Sequence, residues 1–205
     1  INLQRNFTML SLIRSSFRVT LLRSIRPFST SCFRLSGEAV KRKPAQNPVF
    51  SKSLKSNPHQ LVETIHKTAE MFGAAHRWGP KPEDTGVTRL ALSDFDKGVK
   101  EWFIKEVKSL GCTVKIDEVG NIFATYPGKN NSAPATGIGS HLDTQPTGGR
   151  YDGIFGVLSG LQVLRTLKQN NYVPNYPITL VDWCNEEGAR FPMSIMASSV
   201  WAGIN

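Results

Sequence analysis

Two short acidic stretches hold most of the residue types that can do chemistry. The first runs Ser140-His141-Leu142-Asp143-Thr144-Gln145-Pro146-Thr147-Gly148-Gly149-Arg150-Tyr151-Asp152-Gly153, and the second Asp182-Trp183-Cys184-Asn185-Glu186-Glu187-Gly188. Each follows a short apolar run that reads as a β-strand, at Thr136–Ser140 and Pro177–Cys184. In open α/β sheets, the carboxyl ends of strands are where ligand sites form. His141, Asp143, Asp152, Glu186 and Glu187 are therefore expected to converge. A neutral imidazole with carboxylates suits Zn²⁺, and the harder Mn²⁺ accepts the same donors. The chemistry this suggests is metal-assisted hydrolysis.

Each residue has a place in such a site. Asp152 reads as the start of a helix, where the dipole favours a carboxylate. Its two oxygens could bridge two metal ions, which lie about 3.5–4 Å apart in sites of this kind. Asp143 could accept the second imidazole N–H and fix the tautomer of His141. Glu186 and Glu187, read as extended, point apart. One can ligate metal while the other serves as general base. Taken singly, each signal has a plainer explanation: His-x-Asp as surface polarity, the acidic pair as a solvated turn, Asp152 as a helix N-cap. Their combination at two strand ends carries the reading.

The elements that position these loops follow from periodicity. Asn57-Pro58 reads as an N-cap and first helical residue. Leu61, Ile65, Ala69 and Phe72 then extend a helix to about Ala75. Ser93 and Asp96 resemble a capping box. The stripe Phe95, Val99, Trp102, Phe103, Val107 and Leu110 makes a second helix, stopped by Gly111. Strands are expected at Thr113–Glu118 and Asn121–Tyr126. A third helix covers Asp152–Lys168, with Gly153, Gly156 and Gly160 allowing close approach to a sheet. A last helix starts near Met193. Helices alternating with short strands give an α/β layer fold, a mixed sheet with flanking helices. Trp102-Phe103 reads as core, and Cys184 as a buried strand-end thiol.

Charge divides the 205 residues unevenly. The chain has 25 Lys+Arg against 16 Asp+Glu, a formal +9. Six Arg and no acid fall in residues 1–37, and the body beyond Pro44 is close to neutral. Arg-rich, Ser-rich, acid-free and amphipathic is the composition of a mitochondrial transit peptide, with Arg26–Ser31 resembling a matrix-processing site. Mitochondrial localisation is thus expected for 1–37, with a cytoplasmic protein as the alternative. Residues 38–56 read as a linker, and 57–205 as the N-terminal portion of a catalytic domain. Charge confined to one arm, with no binding motif beside it, argues against nucleic acid as partner. No apolar run approaches the roughly 18 residues of a spanning helix, so stable membrane anchoring is not expected. Three scattered cysteines build neither a disulfide framework nor a Cys-rich zinc module.

The quoted loops carry a resemblance. Residues 139–188, above all 140–153 and Asn185-Glu186-Glu187-Gly188-Ala189-Arg190-Phe191, resemble the M20-type metal-dependent amidohydrolases. The similar branch contains β-ureidopropionase and the N-carbamoyl-L-amino-acid hydrolases. Weaker similarity includes Gly86-Val87-Thr88-Arg89-Leu90, Asp117 and Gly120-Asn121. The resemblance implies a zinc-exopeptidase-like domain with two Zn²⁺, or Mn²⁺, ions. His141 would ligate one ion, Glu187 the other, and Asp152 both. Glu186 would be the general base and Asp143 the aspartate behind His141. Gln145 is a candidate substrate contact. The implied substrate is a small N-carbamoyl amino acid, with N-carbamoyl-β-alanine in the pyrimidine-catabolism role, and the implied assembly a homodimer. The family's two remaining histidine ligands and its lid domain lie beyond the span covered. His59, His66 and His76 match neither motif. This chain alone is accordingly expected to bind metal weakly and to be inactive. Other readings are an M20 peptidase, an allantoate-type amidohydrolase, or a non-catalytic interaction module.

Overall fold

The computed structural model describes residues 54–74, 77, 79–81 and 83–204. The expected leader over 1–37, residues 38–53 of the expected linker, and His76 lie outside the described residues. Among the described residues, four helices and four strands follow in the order α1 (Pro58–Met71), α2 (Asp94–Ser109), β1 (Thr113–Ile116), β2 (Ile122–Tyr126), β3 (Thr136–Ser140), α3 (Ile154–Gln169), β4 (Ile178–Asp182) and α4 (Met196–Trp201). The sheet order is β1-β2-β4-β3. β1 and β2 pair antiparallel, as do β2 and β4, while β3 and β4 run parallel through the α3 crossover. The expected mixed α/β layer fold is what forms.

One register decides the site. Ser140 pairs with Asp182, so β3 and β4 end side by side. Trp183 N–H still donates to the Ser140 carbonyl at 2.8 Å. The loops after both strands therefore leave the sheet at the same edge, as strand-end logic requires.

The core lies on one face of the sheet. Along β2, Ile122, Ala124 and Tyr126 are buried while Phe123 and Thr125 are only partly so, the period of two that a strand imposes. Val99, Phe103 and Val107 of α2 and Leu158, Leu161 and Leu164 of α3 complete this core. Phe103 is fully buried and Trp102 packs against the same cluster, as read from the sequence. Gly160 lets α3 sit close, because a Cβ there would come within 2.5 Å of Leu180.

Several boundaries differ from expectation. Helix α1 has the anticipated cap, with Asn57 accepting from Gln60 N–H at 3.2 Å. It stops at Met71 rather than near Ala75, because the chain turns at Gly73 and Ala74 bridges to Val87. In α2, Ser93 caps Asp96 N–H, but the Asp96 carboxylate reaches one residue further back, to Leu92 N–H at 2.8 Å. Strand β1 ends at Ile116 because Asp117 folds back on the backbone of Val119 and Asn121. Helix α3 begins at Ile154, so Asp152 is neither its first residue nor its N-cap. Helix α4 begins at Met196, three residues later than read.

Behind β4 lies a buried group of charges. Lys100 Nζ donates to Asp96 at 2.8 Å and lies 3.5 Å from Cys184 Sγ. Burial alone would lower the Lys100 pKa, but Asp182 and Asp96 outweigh it and hold it above its usual value. Burial pushes Asp182 from the usual 3.8 up to about 7, and Lys100 only partly opposes this. An unfolded chain would ionise that carboxyl near its usual value, so the native state is penalised as pH rises from about 4 to about 7. Asp182→Asn removes this penalty while keeping the shape. Denaturant unfolding should therefore show the variant gaining about 2–4 kcal/mol on the wild type between pH 4 and pH 8. A constant difference across that range would refute the assignment.

Candidate metal and catalytic site

The loop after β3 turns inward immediately. His141 is buried, and its Nδ1 lies 2.8 Å from the Asp143 carbonyl oxygen. That acceptor requires the proton on Nδ1, which leaves the Nε2 lone pair facing outward. The Asp143 carboxylate was expected to play this part, but it lies 3.8 Å from Nδ1. It accepts instead from the backbone N–H groups of Glu186 and Glu187, at 3.2 and 3.3 Å. A carboxylate on the β3 loop thus anchors the glutamate pair of the β4 loop. Burial raises the Asp143 pKa, and the two backbone donors and His141 pull it back only in part.

The glutamate pair is not extended. Asn185 adopts φ 51°, a turn that aims both following N–H groups at Asp143. Asn185 accomplishes this because its short polar side chain tolerates the left-handed region, and its amide donates to the Phe191 carbonyl at 3.1 Å. Ile195 N–H closes the same loop on the Glu186 carbonyl. Sequence periodicity carried no sign of this turn.

The functional side chains gather above these anchors. Glu186 Oε2 lies 3.3 Å from His141 Nε2, and Asp152 Oδ1 lies 3.8 Å from it. His141, Asp152 and Glu187 each offer a ligand atom, all within 4.8 Å of one another. Asp152 is 72% exposed and open to solvent, while His141 is 7% exposed at its side chain. Gln145 Nε2 donates to Glu187 Oε2 at 2.7 Å, so its contact is with a site carboxylate. Six residues singled out in the sequence, including Asp143, therefore meet at one place. His59 and His66 lie on α1; His66 Nδ1 is 3.2 Å from Arg150 and takes no part in the group.

The donor set fits a divalent cation. With the proton of a neutral His141 on Nδ1, the Nε2 lone pair confronts two carboxylates. A lone pair and carboxylates brought this close together suit a positive charge between them. Among the described residues no Lys or Arg is paired with Asp152, Glu186 or Glu187.

Comparison with known proteins bears on the same residues. Residues 137–202 match the family described as Peptidase family M20/M25/M40. That segment is similar to the M20 family over about a third of this chain. That span contains His141, Asp152, Glu186 and Glu187, and M20 proteins are hydrolases, generally metal-dependent. The N-carbamoyl-L-amino-acid amidohydrolase of Rhizobium meliloti is 42% identical over 120 residues, covering 58% of this chain and 29% of its own length. The allantoate amidohydrolase of Bacillus subtilis is 37% identical over 127 residues, covering 59% of this chain and 29% of its own. A hydantoinase/carbamoylase family amidase from Burkholderia ambifaria has a solved structure with a TM-score of 0.68 and 41% identity, over 74% of this chain and 35% of that one. The chain thus spans about a third of the length of these relatives.

Sequence reasoning passed over two buried residues beneath this site. Arg89 was noted only within a weak similarity, and Asp182 only as the first residue of the second loop. Both are wholly buried. An acid closing a mostly apolar strand, Ile178–Asp182, is the signal that could have marked Asp182.

Proposed function

We propose that this segment belongs to a metal-dependent hydrolase of carbon–nitrogen bonds whose substrate is an N-carbamoyl amino acid, N-carbamoyl-β-alanine above others. The observation that carries the reading is the convergence of His141, Asp152 and Glu187 ligand atoms within 4.8 Å of one another, with Glu186 Oε2 3.3 Å from His141 Nε2. Relatives named as carbamoyl-amino-acid and allantoate amidohydrolases support a non-peptide C–N bond as the target.

His141, Asp152 and Glu187 would hold the metal, with zinc the preferred ion and Mn²⁺ the alternative. Bound metal would polarise the carbamoyl carbonyl and lower the pKa of water. Glu186 is anchored through its backbone by Asp143, while its carboxylate lies beside His141 Nε2 at 3.3 Å. It takes the proton from the attacking water and later gives it to the leaving amine. Water oxygen bonds to the carbamoyl carbon, the bond from that carbon to the amino-acid nitrogen breaks, and the resulting carbamate yields CO₂ and ammonia. Asp143 keeps Glu186 and Glu187 at fixed height through two N–H groups, which limits reorganisation during the proton transfers.

A chain of the relatives' full length should release ammonia from N-carbamoyl-β-alanine with a higher kcat/KM than from an N-carbamoyl-α-amino acid or allantoate. It should not cleave a dipeptide. Dialysis against a chelator should abolish turnover, and Zn²⁺ or Mn²⁺ should restore it. Activity that survives chelation would sink the metal mechanism, and preferred dipeptide cleavage would sink the carbamoyl assignment.

A further inference from the structure

Three consecutive peptide units carry the chain from His141 to Thr144, and each is gripped from below. The N–H of the 141–142 unit, on Leu142, donates to Asp182 Oδ1 at 2.8 Å. The carbonyl of the 142–143 unit, also on Leu142, accepts from Arg89 Nε at 2.6 Å. The N–H of the 143–144 unit, on Thr144, donates to the Arg89 carbonyl at 2.8 Å. That third unit is the one whose carbonyl accepts from His141 Nδ1. Peptide units are planar, so holding one end of a unit aims the other.

We infer that Arg89 and Asp182 are positioning residues, forming a clamp on the peptides around Leu142 that sets the orientation of the His141 ring. The clamp draws on two separate stretches of the chain. Arg89 precedes α2, with Nη1 donating to the Phe72 carbonyl at 2.9 Å and its backbone N–H donating to Thr144 Oγ1 at 2.8 Å. Asp182 is the last residue of β4.

Stability alone does not account for these two charges. Both side chains are fully buried, and Arg89 Nη2 and Asp182 Oδ2 have no hydrogen-bond partner. Buried ionic groups of this kind are commonly no better for stability than apolar residues of the same volume. What they supply is direction. A guanidinium donates along fixed lines, and a carboxylate at a strand end accepts from the next strand's exit loop. The partners behind a ligating histidine typically set its metal affinity by about 10–100-fold.

Why the ring's orientation matters rests on the proposed ligand role of His141; the clamp itself can be read without metal. In the wild-type chain, the Leu142 and Thr144 amides should exchange hydrogen as slowly as those of β4. Histidine-labelled ¹⁵N spectra, with His141 assigned by His141→Gln, should show it as a single Nδ1–H tautomer. Arg89→Met and Asp182→Leu should give mixed tautomers at His141 and a 10–100-fold loss of affinity for Zn²⁺ alone. Asp182→Asn keeps an acceptor at Oδ1 and should retain both wild-type properties. A merely structural role would lower the melting temperature of the variants while leaving the tautomer single. Fast exchange at Leu142 and Thr144 in the wild type overturns the clamp, whether or not the variants fold. So does a folded Arg89→Met with one tautomer. Slow exchange and a single tautomer in a chain that binds no Zn²⁺ would uphold the clamp and remove only the ligand role.

Discussion

Glu186→Gln is expected to lower turnover of N-carbamoyl-β-alanine by about 10²–10⁴-fold in a chain of the relatives' full length, with Zn²⁺ binding retained. The amide matches the carboxylate in shape but cannot take a proton from water. The backbone anchor is untouched, because the Asp143 carboxylate holds Glu186 by its N–H and not by its side chain. The lost rate should appear in kcat rather than KM, since the missing proton transfer belongs to the transition state. The partner experiment is Glu187→Gln, which should weaken Zn²⁺ binding first and turnover as a consequence. This contrast is needed because Glu186 Oε2 lies only 3.3 Å from His141 Nε2, a position from which it could also ligate. Zinc titration of both variants, beside their kinetics, decides the matter. Loss of zinc in Glu186→Gln and retention in Glu187→Gln would exchange the two roles.

Much of this site was legible in sequence, and the legible part has a common physical cause. Strand ends are marked by where apolar alternation stops, so the two reactive loops could be put at one sheet edge before any coordinates. An α/β layer fold with a mixed sheet followed from helices alternating with short strands, whereas the parallel pairing of β3 with β4 came only from the structure. What periodicity could not reach was how the loops fold back on themselves. The acidic pair reads as extended until Asn185 is known to take φ 51°. Asp143 reads as the acceptor for the imidazole, yet the nearer acceptor at that residue is its own carbonyl. Asp152 reads as a helix cap, but the helix begins at Ile154, after Gly153. Each of these depends on backbone dihedrals outside regular elements, where residue type only weakly restricts conformation. The buried charges beneath were hidden for another reason. Arg89 and Asp182 are 53 and 40 residues distant from Leu142, the residue they hold. Long-range hydrogen bonds of that kind leave no local pattern.

Gly153 shows how tightly the two loops and the helix are fitted, and substituting it should have the largest effect of any change away from the ligating atoms. Its φ is +68° and its ψ −61°, a conformation that residues bearing a Cβ rarely adopt. An added Cβ would also fall 2.4 to 2.5 Å from three atoms of the His141 ring. The imidazole cannot simply move aside. It is held at Nδ1 by the Asp143 carbonyl and lies buried against the start of α3. Gly153→Ala must therefore shift either the ring or the helix start. The backbone strain alone is about 1–3 kcal/mol, which for a chain of this size lowers the melting temperature by about 2–4 °C per kcal/mol. Displacing the ring should also reduce Zn²⁺ affinity by at least about 10–100-fold, as loss of a fixed histidine orientation does elsewhere. Gly149→Ala is the control: it lies in the same loop, and nothing lies within 4 Å of its added Cβ. It should melt close to the wild type and bind zinc normally. If Gly153→Ala bound zinc as tightly as Gly149→Ala, the close contact between Gly153 and the imidazole would have no bearing on the site. A zinc loss confined to Gly153→Ala would tie the helix start directly to the ligand it supports.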